Sequence, residues 1–139
     1  MATKQVVIYR SAVESILSYA RALHPKEGVL LLRGKAYTNR ILVEEVVIPP
    51  LAAHGHGFSN FPLHMLPNDY SIMGTAHSHP SGLLRPSIED LNHFYGRLMI
   101  IVAHPYESER QIAMLDRDGN AVMYEIISSE EGRKNEAFR

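Results

Sequence analysis

The sequence predicts an α/β domain with a mixed central β-sheet flanked by helices. Apolar runs of strand length alternate along the chain with stretches at helical spacing. The runs 29–32 and 98–103 are continuously apolar, and 41–48 is interrupted only by Glu44-Glu45, as expected of strands largely covered on both faces. The links between them are rich in Gly, Pro, Asp and Asn. At 139 residues the chain fits one domain, taken as residues 1–127 with a polar tail at 128–139.

Residues 6–9 read as a short strand. Ser11-x-x-Glu14 has the form of a capping box, and Val13, Ile16, Leu17, Ala20 and Leu23 repeat at helical spacing. That helix is expected to run to about Leu23 and stop before Pro25. Residues 29–32 and 41–48 flank a polar link at 34–40 and read as a hairpin, ended by Pro49-Pro50. Residues 51–69, with Gly55, Gly57, Pro62 and Pro67, are too broken for a long element and are expected to hold one short helix. A strand over 72–78, a helix over about 87–95 and a buried strand over 98–103 follow. Residues 111–115 and 121–127 flank the turn-rich 116–120 and read as a closing hairpin.

The formal net charge of -1 leaves no basic footprint for nucleic acid, and no block of like charge suggests a membrane surface. The absence of cysteine excludes a thiol nucleophile, a disulfide framework and a Cys-based zinc site. A metal site here has to be built from His and carboxylate. No apolar signal-peptide core or membrane-length run is visible, so a cytoplasmic protein is expected.

His77-Ser78-His79-Pro80 offers such a site. In a strand, residues i and i+2 share a face about 6.6 Å apart, so both imidazoles can reach one ion while Ser78 faces away. Pro80 cannot continue a central ladder and should end the strand. Asp90 is the expected third ligand, arriving on a following loop. Three protein ligands leave one tetrahedral position for water, the mark of a catalytic zinc, and zinc lowers that water's pKa from about 15.7 to near 7. Glu27, at the entrance of the 29–32 strand, is the candidate general base. Ser87 is the candidate hydroxyl donor to a developing oxyanion. Ser87-x-x-Asp90 also resembles a capping box, and the two roles can coexist, the serine opening a helix while the aspartate turns to the metal.

Other histidines fit less well. His54-x-His56 imitates the metal pair, but Gly55 and Gly57 flank it loosely and no acid lies within the 54–64 loop that also holds His64. Phe58, Phe61 and Met65 there are read as an apolar lip gripping a partner, or as a loop folded onto the core. His104 suits a solvated strand end and His93 the outer face of its helix.

Glu27, His77-Ser-His79-Pro80, Ser87 and Asp90 together resemble the JAMM motif of the MPN-plus metalloproteases. The phrases Gly74-Thr75-Ala76-His77-Ser78-His79-Pro80-Ser81-Gly82, Pro86-Ser87 and Asp90-Leu91 resemble the short archaeal and bacterial members, and the resemblance covers nearly the whole chain to about Ile127. It implies the MPN (cytidine-deaminase-like) fold, Zn2+ on His77, His79 and Asp90, and catalysis by Glu27 and Ser87. It also implies a deubiquitinase-like isopeptidase that cleaves after the Gly-Gly tail of a ubiquitin-like modifier. The alternatives are processing of a sulfur-carrier protein's C-terminus, or a non-catalytic MPN interaction module, whose vestigial sites usually lack the glutamate or a ligand. Many members carry glycine three residues after the glutamate, where this chain has Leu30, and Gly34 is expected to close that strand.

Overall fold

The computed structural model describes residues 5–49 and 69–130. The 51–68 part of the broken loop, with its three histidines and the Phe58, Phe61 and Met65 lip, lies outside the described residues, as does the tail beyond residue 130. The described elements are β1 (Gln5–Tyr9), α1 (Arg10–Leu23), β2 (Val29–Ala36), β3 (Arg40–Val47), β4 (Ile72–His79), α2 (Ile88–Asn92), β5 (Leu98–Ala103), a 3₁₀ turn (Glu109–Gln111), β6 (Ile112–Leu115) and β7 (Tyr124–Ile127). The strands form one mixed sheet in the order β6-β5-β4-β2-β3-β1-β7.

β2 and β3 form the expected antiparallel hairpin, but the strands reach further into the link than the sequence suggests. Gly34 does not close β2; it sits at a register shift within it, where a Cβ would lie 1.8 Å from the Leu42 carbonyl oxygen. Only glycine allows the two backbones to approach that closely.

α1 begins directly out of β1, so its N-cap is Tyr9 and no side chain caps it. The Ser11-x-x-Glu14 box is therefore not formed. With no loop between strand and helix, Ser11 already lies inside the first turn. Ala12, Val13, Ile16, Leu17 and Ala20 are buried on one side of the helix, and they pack with Val6, Ile8, Leu30, Leu32, Val43, Ile100 and Val102 in the main core. Leu30, where the family's glycine is often found, is one of these core residues.

β6 and β7 are not a hairpin. The turn between them exists: Asp116 Oδ1 accepts from the Asp118 and Asn120 N–H groups, and Leu115 bridges Ala121. The ladder stops after that rung, because β7 crosses to the far side of the sheet and pairs in parallel with β1. The Val122 N–H donates to the Met114 carbonyl in β6, and the next residue, Met123, accepts from the Val6 N–H in β1. In a flat sheet β6 and β1 would lie about 24 Å apart, five spacings of about 4.8 Å. Two adjacent residues, about 3.8 Å apart at Cα, can reach both only if the sheet curls round α1. α1 accordingly touches β1, β3, β4, β5 and β7.

The opposite face is covered by the chain around α2, with Leu84 and Phe94 packed on Val29, Met99, Ile101 and Leu115. α2 is shorter than expected and ends at Asn92, and Gly96 at φ 76 turns the chain into β5.

Candidate metal centre

β4 carries both histidines and is buried along its whole length, with β2 on one side and β5 on the other. Its register with β5 pairs Ala76 with Ile100 and Ser78 with Val102, residues of the α1 side, while His77 pairs with Ile101 and His79 with Ala103. The histidines therefore project on the α2 face. Pro80 follows β4 directly, as expected.

α2 delivers Asp90. Ser87 is its N-cap and Asp90 closes a complete capping box: the Asp90 N–H donates to Ser87 Oγ at 3.0 Å, and the Ser87 N–H donates to Asp90 Oδ2 at 2.7 Å. The same carboxylate lies 3.2 Å from His79 Nε2, and its Oδ1 lies 3.6 Å from His77 Nδ1. The helix cap thus fixes the orientation of the candidate ligand Asp90, so the capping reading of Ser87-x-x-Asp90 is realised and leaves the carboxylate facing both histidines.

His77, His79 and Asp90 are all buried, and one ligand atom from each lies within 4.8 Å of the others. Two imidazole nitrogens and a carboxylate oxygen suit zinc with a fourth position open. The histidine chemistry fits as well. His79 Nδ1 is 2.8 Å from the Leu83 carbonyl, which can only accept, so Nδ1 carries a proton and Nε2 is the nitrogen left for a metal; when the ring is protonated, Nε2 donates instead to Asp90 Oδ2 at 3.2 Å.

In the metal-free protein, burial pushes His77 down to about 4 against the pull of the Asp90 charge. Burial opposes ionisation of His79 too, but the hydrogen bonds to Asp90 and the Leu83 carbonyl, with the charges of Asp90 and Glu27, raise it above its ordinary value. Burial would raise Asp90; its bond to His79 and the Ser87 N–H outweigh that and bring it to about 2.

Glu27 reaches the site through the β2–β4 register. The paired register ends with Val29 opposite His77, and the Ser78 N–H bond to the Gly28 carbonyl holds the chain one residue further, which brings Glu27 close enough for its charge to act on His79. Glu27 is half-buried there, and its charge acts on both His79 and Tyr106. The segment before it is pinned to the end of β5: His24 stacks on His104 with ring centroids 4.4 Å apart, His24 Nδ1 lies 3.2 Å from the Tyr106 hydroxyl, and Arg21 donates to the Tyr106 carbonyl. Ser87 is exposed at the rim. His104 is exposed directly after β5, as expected of a solvated strand end, and stacks there on His24, whereas His93 is not on an outer helix face: it follows α2 and its Nδ1 donates to the Glu89 carbonyl at 2.9 Å.

Two contributors escape sequence reasoning. Leu83 acts through its backbone, for which no residue type is a signal. Ser78 was read only as facing away from the metal.

A mixed sheet wrapped on one helix, with a His-x-His strand inside the sheet and a capped aspartate converging at the end of that strand, defines the class of metal-site α/β domains to which the comparisons point. The model of prokaryotic homologs of the JAB domain matches residues 10–116, and the chain belongs to that family. A probable metalloprotease of Haloferax volcanii is 34% identical over 113 residues, covering 75% of this chain and 70% of the relative. The crystal structure of a JAB1/MPN domain protein from Archaeoglobus fulgidus superposes with a TM-score of 0.67 at 32% identity, covering 87% of this chain and 98% of that one. A structure described as JAMM, a metalloprotease-like zinc site in the proteasome and signalosome, gives a TM-score of 0.64 at 29% identity over 90% of this chain and 100% of that one. Among the described residues no helix is long and apolar enough to cross a membrane.

Proposed function

We propose that the protein is a zinc-dependent isopeptidase that removes ubiquitin-like modifier proteins from conjugates by hydrolysis after a C-terminal Gly-Gly tail. The observation that carries this reading is the complete site: His77, His79 and Asp90 converge, the Glu27 charge acts on His79, and Ser87 caps the helix that delivers Asp90. A vestigial interaction module would have no need of the full set. The zinc chemistry and the metalloprotease activity named for its relatives support the same assignment.

Zinc, when bound by the two histidines and Asp90, supplies a Lewis acid and a water acidic enough to lose a proton near neutral pH. Glu27 accepts that proton as the carbonyl is attacked and returns it to the leaving lysine nitrogen. The Ser87 oxygen already accepts from the Asp90 N–H, which leaves its own O–H to donate to the carbonyl oxygen as charge develops. A slender Gly-Gly tail suits a site whose ligands are buried, because only an extended backbone without side chains passes easily to the metal.

The test is incubation with a ubiquitin-like protein joined to lysine and, in parallel, with a sulfur-carrier precursor bearing a C-terminal extension, each with and without a chelator. Release of the modifier that stops with chelator and resumes with added zinc is expected. Cleavage that persists in chelator would remove the metal from the mechanism, and cleavage of the precursor alone would reassign the substrate.

A further inference from the structure

The geometry assigns Ser78 as a positioning residue for the general base: its side chain latches Gly28, and through Gly28 sets Glu27 against the metal face. This rests on the reading of Glu27 as the base.

Among the buried polar residues, Thr75, His77, Ser78 and His79 all lie on β4, and Ser78 is the one whose side chain projects to the α1 side between the two histidines. There it is not idle. Its Oγ accepts from the Gly28 N–H at 2.9 Å, while its own N–H donates to the Gly28 carbonyl at 3.1 Å. Both polar groups of the Gly28 backbone are therefore held by one residue, and that residue is the peptide unit linking the two histidine ligands.

The consequence is geometric. β2 ends its ladder at Val29, so Gly28 and Glu27 have left regular pairing. Upstream the chain is pinned at Arg21 and His24, and at Gly28 by the Ser78 N–H, which leaves two soft dihedrals per residue to be fixed around Glu27. The Ser78 hydroxyl supplies a further restraint one residue away, tying the base to the same peptide that carries the ligands. Gly28 also has no room for a side chain: a Cβ would lie 2.4 Å from Leu23 Cδ1 and 2.9 Å from Tyr19 Cε2. The end of α1 thus presses Gly28 onto β4 from the outside while Ser78 holds it from within. A base must sit within hydrogen-bond reach of the proton it takes, and displacement by about 1 Å is costly. A latch on the adjacent peptide is the kind of outer support whose loss lowers activity by about 10- to 100-fold.

The experiment compares wild-type protein with Ser78→Ala and Ser78→Thr. In zinc-free protein, Gly28 amide exchange should be about 10-fold or more faster in Ser78→Ala, and near wild type in Ser78→Thr, which keeps the hydroxyl acceptor. Zinc content should remain one per chain. On an internally quenched peptide carrying a Gly-Gly isopeptide bond to lysine, Ser78→Ala should lower kcat by about 10- to 100-fold with KM within about two-fold, and Ser78→Thr should restore most of it. Added to Glu27→Gln, Ser78→Ala should cause no further loss, because it acts through the base. Unchanged Gly28 exchange, loss of zinc, or an equal kcat loss in the Glu27→Gln background would each overturn the assignment. Should Ser78→Ala not fold, Ser78→Cys, similar in shape but a weak acceptor, takes its place with the same expectations. Full activity of Glu27→Gln alone would instead refute the base itself, a separate result, while the exchange measurement on Gly28 stands independently of any activity.

Discussion

The two faces of the sheet are built on different principles, although the same strands supply both. The α1 face is a broad apolar core, with Ile8, Leu32, Val43, Leu98, Ile100 and Val102 almost wholly inaccessible beneath the helix. The α2 face has a thinner apolar cover and carries buried His77, His79, Asp90 and Thr75. Burying such polar groups costs free energy unless they are bonded or coordinate an ion. The large core on one side supplies stability that the ligand side does not. β4 belongs to both, Ala76 and Ser78 to the first and His77 and His79 to the second, so side-chain alternation places the reactive set one residue away from the packing set.

The sharpest way to break that division is to delete a ligand. His77→Ala and Asp90→Ala should each take zinc from about one equivalent per chain to nearly none and abolish hydrolysis, as read by metal analysis of folded protein. Full zinc retention in both would dismantle the assignment of this face. Next in size, Glu27→Gln should keep fold and zinc and lose kcat by about 10²-fold or more. Zinc loss in that variant would make Glu27 a ligand.

Ser87→Ala should act twice, lowering turnover by up to about 10²-fold as an oxyanion donor and costing about 1 kcal/mol as a helix cap. Thermal unfolding beside steady-state kinetics separates the two, and unchanged kcat would leave only the cap. On the other face, Leu32→Ala should cost about 2–5 kcal/mol in denaturant unfolding while leaving kcat per folded molecule unaltered. A large kcat change there would show the faces to be coupled.

The smallest effect is graded with pH. In the metal-free trio Asp90 ionises at about 2 and His77 at about 4, and only His79, raised, holds a proton near its titration range. Zinc must displace that proton. Affinity should be constant above the raised His79 value, fall about tenfold per pH unit below it, and fall more steeply below about 4 as His77 also protonates. Calorimetric titration in buffers of different ionisation heat would check that one proton is released.

How far all this was legible follows the range of the forces. The strands of the core, the β2–β3 hairpin and the Ser87–Asp90 box are written in local patterns, and the structure realises them. The convergence of His77, His79 and Asp90 was legible because strand periodicity and a helix cap are short-range rules. The Ser11 box was misleading, since a cap forms only where a helix begins, and here β1 feeds α1 without a loop. The supposed 111–127 hairpin failed for a non-local reason: its second half finds a better partner in β1, more than a hundred residues away. Ser78 was passed over because its partner, the Gly28 amide, is a backbone group that no sequence pattern displays.

The β1–β7 pairing sets a timetable for synthesis. β1 leaves the ribosome more than a hundred residues before its outer partner, β7. Every residue of the metal centre emerges before β7, so the site's parts are present while one side of β1 still lacks its partner. High sequence separation of contacts makes that final pairing slow. A nascent chain halted after β6 would thus expose the outer edge of β1 as a sticky template for other chains. The closing strand, remote from all chemistry, is where this protein would be most vulnerable to truncation in the cell.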